Sequence, residues 1–416
     1  MKVPTRLITA SSFATILEWF DFSLFAYLTP LLATLFFPKE NALTALMLTY
    51  AIFAVGFFVR PLGAILFGHL GDRIGRKKTL AWSILLMSLP TFFIGLLPTY
   101  QSIGIVAPIL LIVLRICQGL SAGGESTGAV LFALESLPSR HKGFWGGLLW
   151  SMTGVGMLLG SFAAVLVTHY SDYPWLWRVP FLLGILTGLV VYFLRKRIPE
   201  SAMFEQAART NALSKFPLWE GMIKYKREMI TIIGLYVLSA MITYLIFIFM
   251  PSYVANILGL PLDKITFIST LSFLCVIFLV PIGGYISDRI GRKACLKWSA
   301  IGYAILSYPL FWLISQGVMD YFIVAQSIFV ILAAGFQGTL TATVLELLPT
   351  NVRYSVAAVG YNVSYSIFGG TAPLIATYMV KVSGSAAAPG LYLVFGALLA
   401  FIAATKIRIT AQLKLT

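Results

Sequence analysis

The sequence predicts an all-α integral membrane protein, with twelve transmembrane helices in two pseudo-symmetric six-helix bundles. Three observations predict it. The 416 residues are 59% hydrophobic and only 11% charged, with a mean hydropathy of +0.90. Soluble domains carry roughly 25% charged residues, and a chain of this size cannot enclose so much apolar surface, so lipid must be its solvent. The apolar residues fall in twelve runs, each near the ~20 residues that cross the hydrocarbon of a bilayer. Finally, a charged turn recurs at half-length. Gly68-His-Leu-Gly71-Asp72-Arg73-Ile-Gly75-Arg76-Lys77 returns as Gly284-Tyr-Ile-Ser-Asp288-Arg289-Ile-Gly-Arg292-Lys293, so Asp288 stands 216 residues after Asp72.

The first six spans are expected at 10–36, 43–67, 79–98, 104–133, 143–169 and 178–194. The last six are expected at 229–257, 265–287, 294–315, 319–344, 355–381 and 389–407. Residues 1–194 and 229–416 then form the two bundles. Residues 195–228 join them as a polar linker that opens on Arg195-Lys196-Arg197 and closes on Lys224-Tyr225-Lys226-Arg227-Glu228. Basic residues set the orientation, because Lys and Arg concentrate in cytoplasmic loops. One side collects Lys2, Arg6, Arg73, Arg76, Lys77, Lys78, Arg140, Lys142, Arg289, Arg292, Lys293, Lys297, Arg353, Lys406, Arg408 and Lys414. The other keeps Lys39, Arg178, Lys264 and Lys381. Both termini are therefore expected in the cytoplasm, with the chain in the plasma membrane (the inner membrane of a bacterium). A second repeat supports the halves: Glu135-Ser136-Leu137-Pro138 matches Glu346-Leu347-Leu348-Pro349, 211 residues on. These turns read as structural, with the Pro ending a helix and the charges at the interface. Pro30 and Pro251 pair in the same way.

Composition also excludes several classes. The net charge is +15, but the basic residues sit in short loops rather than in a stripe with aromatics, so nucleic acid is not a partner. Cys117, Cys275 and Cys295 show no paired or metal-ligand spacing. The first apolar run contains Glu18 and Asp21 and has no small-residue cleavage site, so it is expected to stay as a helix. His69, His141 and His169 are scattered, and neither a nucleophile–base pair nor a phosphate-cradling loop is present. No enzyme activity, metal or cofactor is expected. The glycines of spans 5 and 11 (Gly154, Gly156, Gly160, Gly360, Gly369 and Gly370) read as close-packing positions, and Trp175 and Trp177 as interfacial anchors.

An ionisable group in mid-membrane costs a few kcal/mol and marks a functional site by default. Glu18 and Asp21 lie three residues apart on span 1, hence on one helix face. Arg115 and Glu125 lie on span 4. Arg60 sits in the inner part of span 2 and is expected to snorkel toward the cytoplasm. Burial away from water favours the neutral form of a carboxyl group, which makes Glu18 the first candidate for a proton carrier. Arg115 keeps its charge and can hold a carboxylate bidentately, either from a substrate or from Glu18 or Glu125. Superposing the halves through the 211 offset puts Gln326 at Arg115 and Phe336 at Glu125. The Pro30/Pro251 offset puts Ser239 and Ile242 at Glu18 and Asp21. The charges thus belong to the first half, while the second offers Tyr244, Gln326, Gln337, Tyr361 and Asn362. This implies a division of labour: coupling ion and charged contact in one bundle, shape and hydrogen bonds in the other.

Internal duplication of this kind is an architecture of secondary transporters, and the charged turn resembles the loop between helices 2 and 3 of the major facilitator superfamily. Longer runs are similar to the metabolite:proton symporter family within it. They are Leu17-Glu18-Trp19-Phe20-Asp21-Phe22, Phe58-Val59-Arg60-Pro61-Leu62-Gly63, Arg115-Ile-Cys-Gln118-Gly-Leu-Ser-Ala-Gly-Gly-Glu125 and Pro349-Thr-Asn-Val-Arg353-Tyr-Ser355. That family includes carriers of proline and glycine betaine, 2-oxoglutarate, citrate and shikimate, and the likeness is strongest to the proline and betaine carriers. The resemblance implies the major facilitator fold, a central cavity between rocking bundles, and uptake of a small metabolite driven by the proton gradient. Taken with the buried charges and the repeat, it leaves Thr15, Glu18, Asp21, Arg115, Gln118, Glu125, Tyr244, Gln326, Tyr361 and Asn362 as candidate proton or substrate residues. Gly68, Gly71, Asp72, Arg73, Gly75, Arg76, Asp288, Arg289 and Arg292 are candidate gating residues.

Three departures bear on these expectations. Ala14 and Thr15 replace the Gly-Asn of many members. Arg115 stands where the proline and betaine carriers have Lys, as it does in the organic-acid members, which favours a carboxylate substrate. The sequence ends at Thr416 without the heptads of an osmosensing coiled-coil tail, so that form of regulation is not expected. The expected function is proton-coupled symport of a compatible solute or an organic acid, by a monomer whose partners are that solute, protons and the bilayer. The alternatives are a drug/proton exporter, which would usually show a Gly-Pro pair that span 5 lacks, and an uncoupled facilitator.

Overall fold

The apolar runs build helices because in lipid a single segment of this length satisfies its own backbone amides only as a helix, a closed β-barrel being the other solution. The computed structural model describes residues 5–38, 42–135, 137, 141–170, 172–196, 200, 202–209 and 217–407. Lys2, Lys39, Ser136, Pro138, Arg140, Arg197, Arg408 and Lys414 lie outside the described residues.

The first half contains α1 (Thr5–Phe36), α2 (Ala42–Ile74), α3 (Arg76–Leu96), the single turn α4 (Tyr100–Ile103), α5 (Val106–Glu135), α6 (Lys142–His169) and α7 (Arg178–Lys196). Two short helices follow, α8 (Ala202–Arg209) and α9 (Pro217–Lys224). The second half has α10 (Lys226–Met241) running through a π-helical stretch, Ile242–Phe249, into α11 (Met250–Leu258). Then come α12 (Leu262–Ile290), α13 (Arg292–Ser315) and α14 (Met319–Leu347). Next, α15 (Arg353–Ser364) passes through a second π-helical stretch, Tyr365–Gly369, to α16 (Ala372–Ser383), and α17 (Pro389–Thr405) follows. Ten helices among the described residues are long and apolar enough to cross a membrane. Of the other two expected spans, α17 is shorter, at 17 residues, and the eleventh is interrupted by its π turn. All twelve expected spans coincide with helical segments.

Within the first half, α1 packs on α6, α2 on α5 and α3 on α7; within the second, α12 packs on α14, and α13 and α10 on α17. The halves meet along two seams, α2 and α5 against α15, and α6 against α12 and α14. Glycine makes these approaches possible. A Cβ on Gly123 of α5 would meet the Ala64 amide nitrogen of α2 at 2.6 Å. One on Gly156 of α6 would meet the Phe20 nitrogen of α1 at 3.0 Å. Helices this close gain dispersion contacts that lipid tails would not supply.

Some expectations need correction. Trp177 is not an interfacial anchor: it is 3% exposed and packs edge-on against Phe36 and Phe181, at 5.8 and 6.1 Å between centroids. Trp175, two residues earlier, is exposed. Trp177 lies in the turn just before α7, where it closes a core with Phe181 and the end of α1. Arg195, read as the first linker charge, belongs to the last turn of α7 and is 2% exposed.

Candidate functional site

Three buried carboxylates of the first bundle are each held by a different arginine. Glu18 Oε1 accepts from Arg60 Nη2 at 3.1 Å. Asp21 Oδ2 lies 3.3 Å from Arg115 Nη1. Glu125 is paired with Arg195 through two contacts, one of them Nη1 to Oε2 at 3.0 Å. Arg115 therefore holds neither Glu18 nor Glu125. The three-residue spacing of Glu18 and Asp21 sets them almost one turn apart on α1, so one meets α2 and the other meets α5. Nor does Arg60 snorkel. It is 1% exposed because Gly63 and Gly123 draw α2 and α5 together around it, and its charge is met by Glu18 instead of water.

The Asp21 cluster is closed within the first bundle, with Arg115 Nε and Nη2 left without a hydrogen-bond partner among the described residues. Thr91 Oγ1 and Gln118 Nε2 donate to Asp21 Oδ1 at 2.8 and 2.9 Å. Arg115 Nη1 donates to Gln118 Oε1 at 2.9 Å. The Arg115 guanidinium lies over the Phe25, Phe22 and Phe53 rings at 4.2, 5.1 and 5.5 Å, an arrangement in which the ring quadrupoles stabilise a desolvated cation. The Glu125 cluster is closed too: Ser83 donates to Glu125, and Arg195 Nη1 reaches the Leu80 carbonyl at 2.6 Å. Both networks lie inside one bundle.

The Glu18 cluster differs because it crosses the seam. Arg60 Nε donates to Asn362 Oδ1 on α15 at 3.0 Å. Asn362 Nδ2 in turn donates to the Gly123 and Ala358 carbonyls at 2.7 and 2.8 Å. Arg60 also lies 5.2, 5.6 and 5.6 Å from the centroids of Phe22, Phe57 and Tyr361. Behind Tyr361 stands a tyrosine cluster of the second bundle. Tyr361 and Tyr365 stack at 4.1 Å, and Tyr236 and Tyr244 lie edge-on to them. Tyr244 and Tyr365 sit in the two π-helical stretches, an irregularity that often marks functional positions. Tyr365 Oη lies 2.9 Å from Ser239 Oγ, which donates to Gln337 Oε1 at 2.6 Å. Ser239 is the residue that the internal repeat sets in the place of Glu18. Among the described residues, Tyr244 Oη and Gln326 Oε1 are buried polar atoms with no hydrogen-bond partner. Thr15 is buried, and its hydroxyl is spent on the Ser11 carbonyl of its own helix, at 3.1 Å.

The gating candidates assemble into two related locks. Asp72 Oδ2 and Oδ1 accept the Ser355 and Tyr354 amides, at 2.8 and 3.3 Å, at the start of α15. Asp288 Oδ1 and Oδ2 accept the Gly143 and Phe144 amides, at 2.9 and 3.0 Å, at the start of α6. Each carboxylate thus caps a helix of the opposite bundle, where unpaired amides and the helix dipole favour an anion. Gly143 and Phe144 are the 211-offset counterparts of Tyr354 and Ser355, so the two locks are copies. Arg76 and Arg292 steady them. Arg76 Nη1 lies 3.0 Å from Glu135 Oε2, whose Oε1 accepts from Arg353 Nη1 at 2.7 Å. Arg292 Nη2 pairs with Asp288 and Glu346 at 2.6 and 3.1 Å. Gly75 and Gly291 carry φ of 106° and 96°, a region that favours glycine, and so let each helix pair turn sharply. Gly71 has no room for a Cβ beside the Tyr354 ring, and one on Gly68 would lie 2.9 Å from Ser355 Cα. Arg73 and Arg289 face outward instead.

The sequence points to the carboxylates and singles out Arg60, Asn362, Arg76 and, through the repeat, Ser239, but it does not give their pairings, and it misses Tyr365 and the turn of Arg195 toward Glu125. The Glu-x-x-Pro repeat contains Glu135 and stands beside Arg353, but its spacing says only that a helix ends there.

Comparison with known proteins agrees with this architecture. The family model described as Major Facilitator Superfamily matches residues 11–359 and 232–413. The proline/betaine transporter of Escherichia coli (strain K12) is 33% identical over 420 residues, covering 98% of this chain and 84% of that protein. The glycine betaine/proline/ectoine/pipecolic acid transporter OusA of Dickeya dadantii is 32% identical over the same length, with the same coverage. Among solved structures, the proton:xylose symporter XylE superposes with a TM-score of 0.77 at 16% identity, over 96% of this chain and 94% of that one. The human organic anion transporter MFSD10 gives 0.71, also at 16% identity, over 97% and 100%. The chain is a multi-pass membrane transporter, not an enzyme, and it belongs to the major facilitator superfamily as a metabolite transporter.

Proposed function

We propose that the protein is a proton-coupled symporter of a small zwitterionic compatible solute, of the proline or betaine kind, carried into the cytoplasm. The observation that carries the coupling is the chain Glu18–Arg60–Asn362. Of the three arginine–carboxylate pairs on Glu18, Asp21 and Glu125, it is the one whose arginine also bonds the opposite bundle. With Glu18 ionised, Arg60 has a charged partner and its geometry toward Asn362 is set. Protonation of Glu18 removes that charge and weakens the grip on Arg60, so the proton and the seam between the bundles share one energy term. Asp21, already bonded by Thr91, Gln118 and Arg115 within one bundle, positions Arg115.

A zwitterion suits the surroundings. Its carboxylate is matched by the Arg115 guanidinium, whose Nε and Nη2 have no hydrogen-bond partner among the described residues. Its cationic end is matched by the faces of the tyrosine cluster. Tyr244 Oη and Gln326 Oε1 are further polar atoms that a bound solute would satisfy. The names of the relatives at 32–33% identity point the same way. The two locks join the bundles at the end that the basic residues assign to the cytoplasm, and the inter-bundle bonds run from there to the middle of α2, where Ser366 Oγ donates to the Phe57 carbonyl at 2.7 Å. That arrangement is the outward-facing half of an alternating-access cycle.

The test is uptake into proteoliposomes under an imposed pH gradient, with labelled proline, glycine betaine, 2-oxoglutarate and citrate, with and without a protonophore. Accumulation of proline or betaine that collapses with the protonophore is expected. Accumulation of a dicarboxylate alone would overturn the substrate assignment, and uptake indifferent to the gradient would overturn the coupling.

A further inference from the structure

A groove between α3 and α7, at the end of the charged turns, takes no part in the locks or in the central clusters. Lys77, Lys78, Trp82 and Leu85 of α3 meet Tyr192 and Lys196 of α7 around a cavity of about 200 Å³. The spacing explains the convergence. Positions 78, 82 and 85 share one face of α3, and 192 and 196 are one turn apart on α7. Among the described residues, no carboxylate lies within ion-pair distance of the three ammonium groups. Glu200 accepts the Lys77 backbone amide at 3.0 Å, so the first turn of α3 is already capped and an anion in the groove would be held by side chains.

The repeat sharpens the point. Lys293, the counterpart of Lys77, donates to the Thr405 and Ile407 carbonyls at 2.7 and 3.3 Å. The counterpart of Lys78 is Ala294. One half spends its lysine on its own backbone, whereas the other gathers three in a groove. The wall of that groove is continuous with an outward apolar stripe: Trp82 is 68% exposed, and Leu89, Phe93 and Phe193 are exposed beyond it. In a protein that spans a bilayer, such a stripe faces acyl chains.

We propose that this groove binds an anionic phospholipid, its phosphate among Lys77, Lys78 and Lys196 and its chains along Trp82 and Leu85. A basic pocket between transmembrane helices beside a lipid-facing wall matches a headgroup that carries net negative charge. A soluble phosphate would use the lysines but leave the apolar wall without a role.

The test is native mass spectrometry of the full chain in neutral detergent, titrated with phosphatidylglycerol or phosphatidylcholine. Phosphatidylglycerol should be retained in preference by roughly tenfold or more, since each interfacial lysine favours the anionic headgroup. The K77Q/K78Q/K196Q variant should lose that preference, whereas K264Q/K381Q, at the opposite end, should keep it. Should the triple variant not fold, K78Q/K196Q changes only exposed side chains and should lose most of the preference. Equal retention of the two lipids by the wild type, or an unchanged preference in these variants, would overturn the proposal. So would complete displacement of phosphatidylglycerol by millimolar glycerol 3-phosphate, which would make this a site for a soluble phosphate.

Discussion

Arg60 shows how much one residue's surroundings decide. A buried arginine with one partner removed leaves unmet donors, at a cost of about 1–3 kcal/mol. Asn362→Ala removes the Nε partner and the bond to the Gly123 carbonyl while sparing Glu18. We expect a lower thermal midpoint in detergent and faster exchange between facing states, read as a rise in solute counterflow. A variant unchanged in both would remove Asn362 from the seam. Arg60→Lys keeps the charge but loses the planar fork that reaches two acceptors at once, so it should fail to restore wild-type transport. Wild-type uptake by that variant would show that charge alone suffices. The sequence made Glu18 and Asp21 legible because a charge in an apolar run stands out. It did not reveal their partners: Arg60 and Asn362 are 302 residues apart, and no period connects them. The role of Arg195 is illegible for a related reason, since an arginine at the end of an apolar run looks the same whether it reaches water or turns back toward Glu125.

At the scale of elements, the helices are legible and their ends less so, with α2 running seven residues beyond the expected span, because apolar runs mark what lies in lipid but not how far a helix continues into the charged turns. The locks were half legible. The 216- and 211-residue repeats announced two equal devices, but which helix start each carboxylate caps depends on the packing of α15 and α6 across the seams. Asp72→Ala removes two charge-assisted hydrogen bonds, each worth about 1.5–3 kcal/mol. Transport should slow by roughly tenfold or more while solute affinity changes by less than about twofold. Unaltered turnover would deny Asp72 a gating role. Asp288→Ala should act in the same direction, because it caps α6 in the same way. Gly123→Ala would force a methyl group against the α2 backbone, an overpacking that costs about 1–3 kcal/mol or more. A thermal midpoint within a degree of wild type would contradict the close approach of α2 and α5.

At the scale of the molecule, two bundles with separate inventories meet along two seams, and the Glu18–Arg60–Asn362 chain crosses the one between α2 and α15. Away from the locks, the first holds arginine–carboxylate pairs on Glu18, Asp21 and Glu125, and the second holds a neutral cluster of tyrosines, Ser239 and Gln337. The repeat made this division readable, since the counterparts of Glu18 and Arg115 are Ser239 and Gln326. It could not show that Arg60 bridges the two inventories. If Glu18 carries the proton, every event on that carboxylate is felt at Asn362 and so at the seam that must open. The measurement that tests this most directly compares two activities of Glu18→Gln in proteoliposomes: uphill accumulation of proline or betaine under a pH gradient, and gradient-free exchange of the same solute. The account predicts that accumulation is lost and exchange survives, because the neutral side chain mimics the protonated form. Full uphill accumulation by Glu18→Gln would contradict it and move the coupling to another carboxylate.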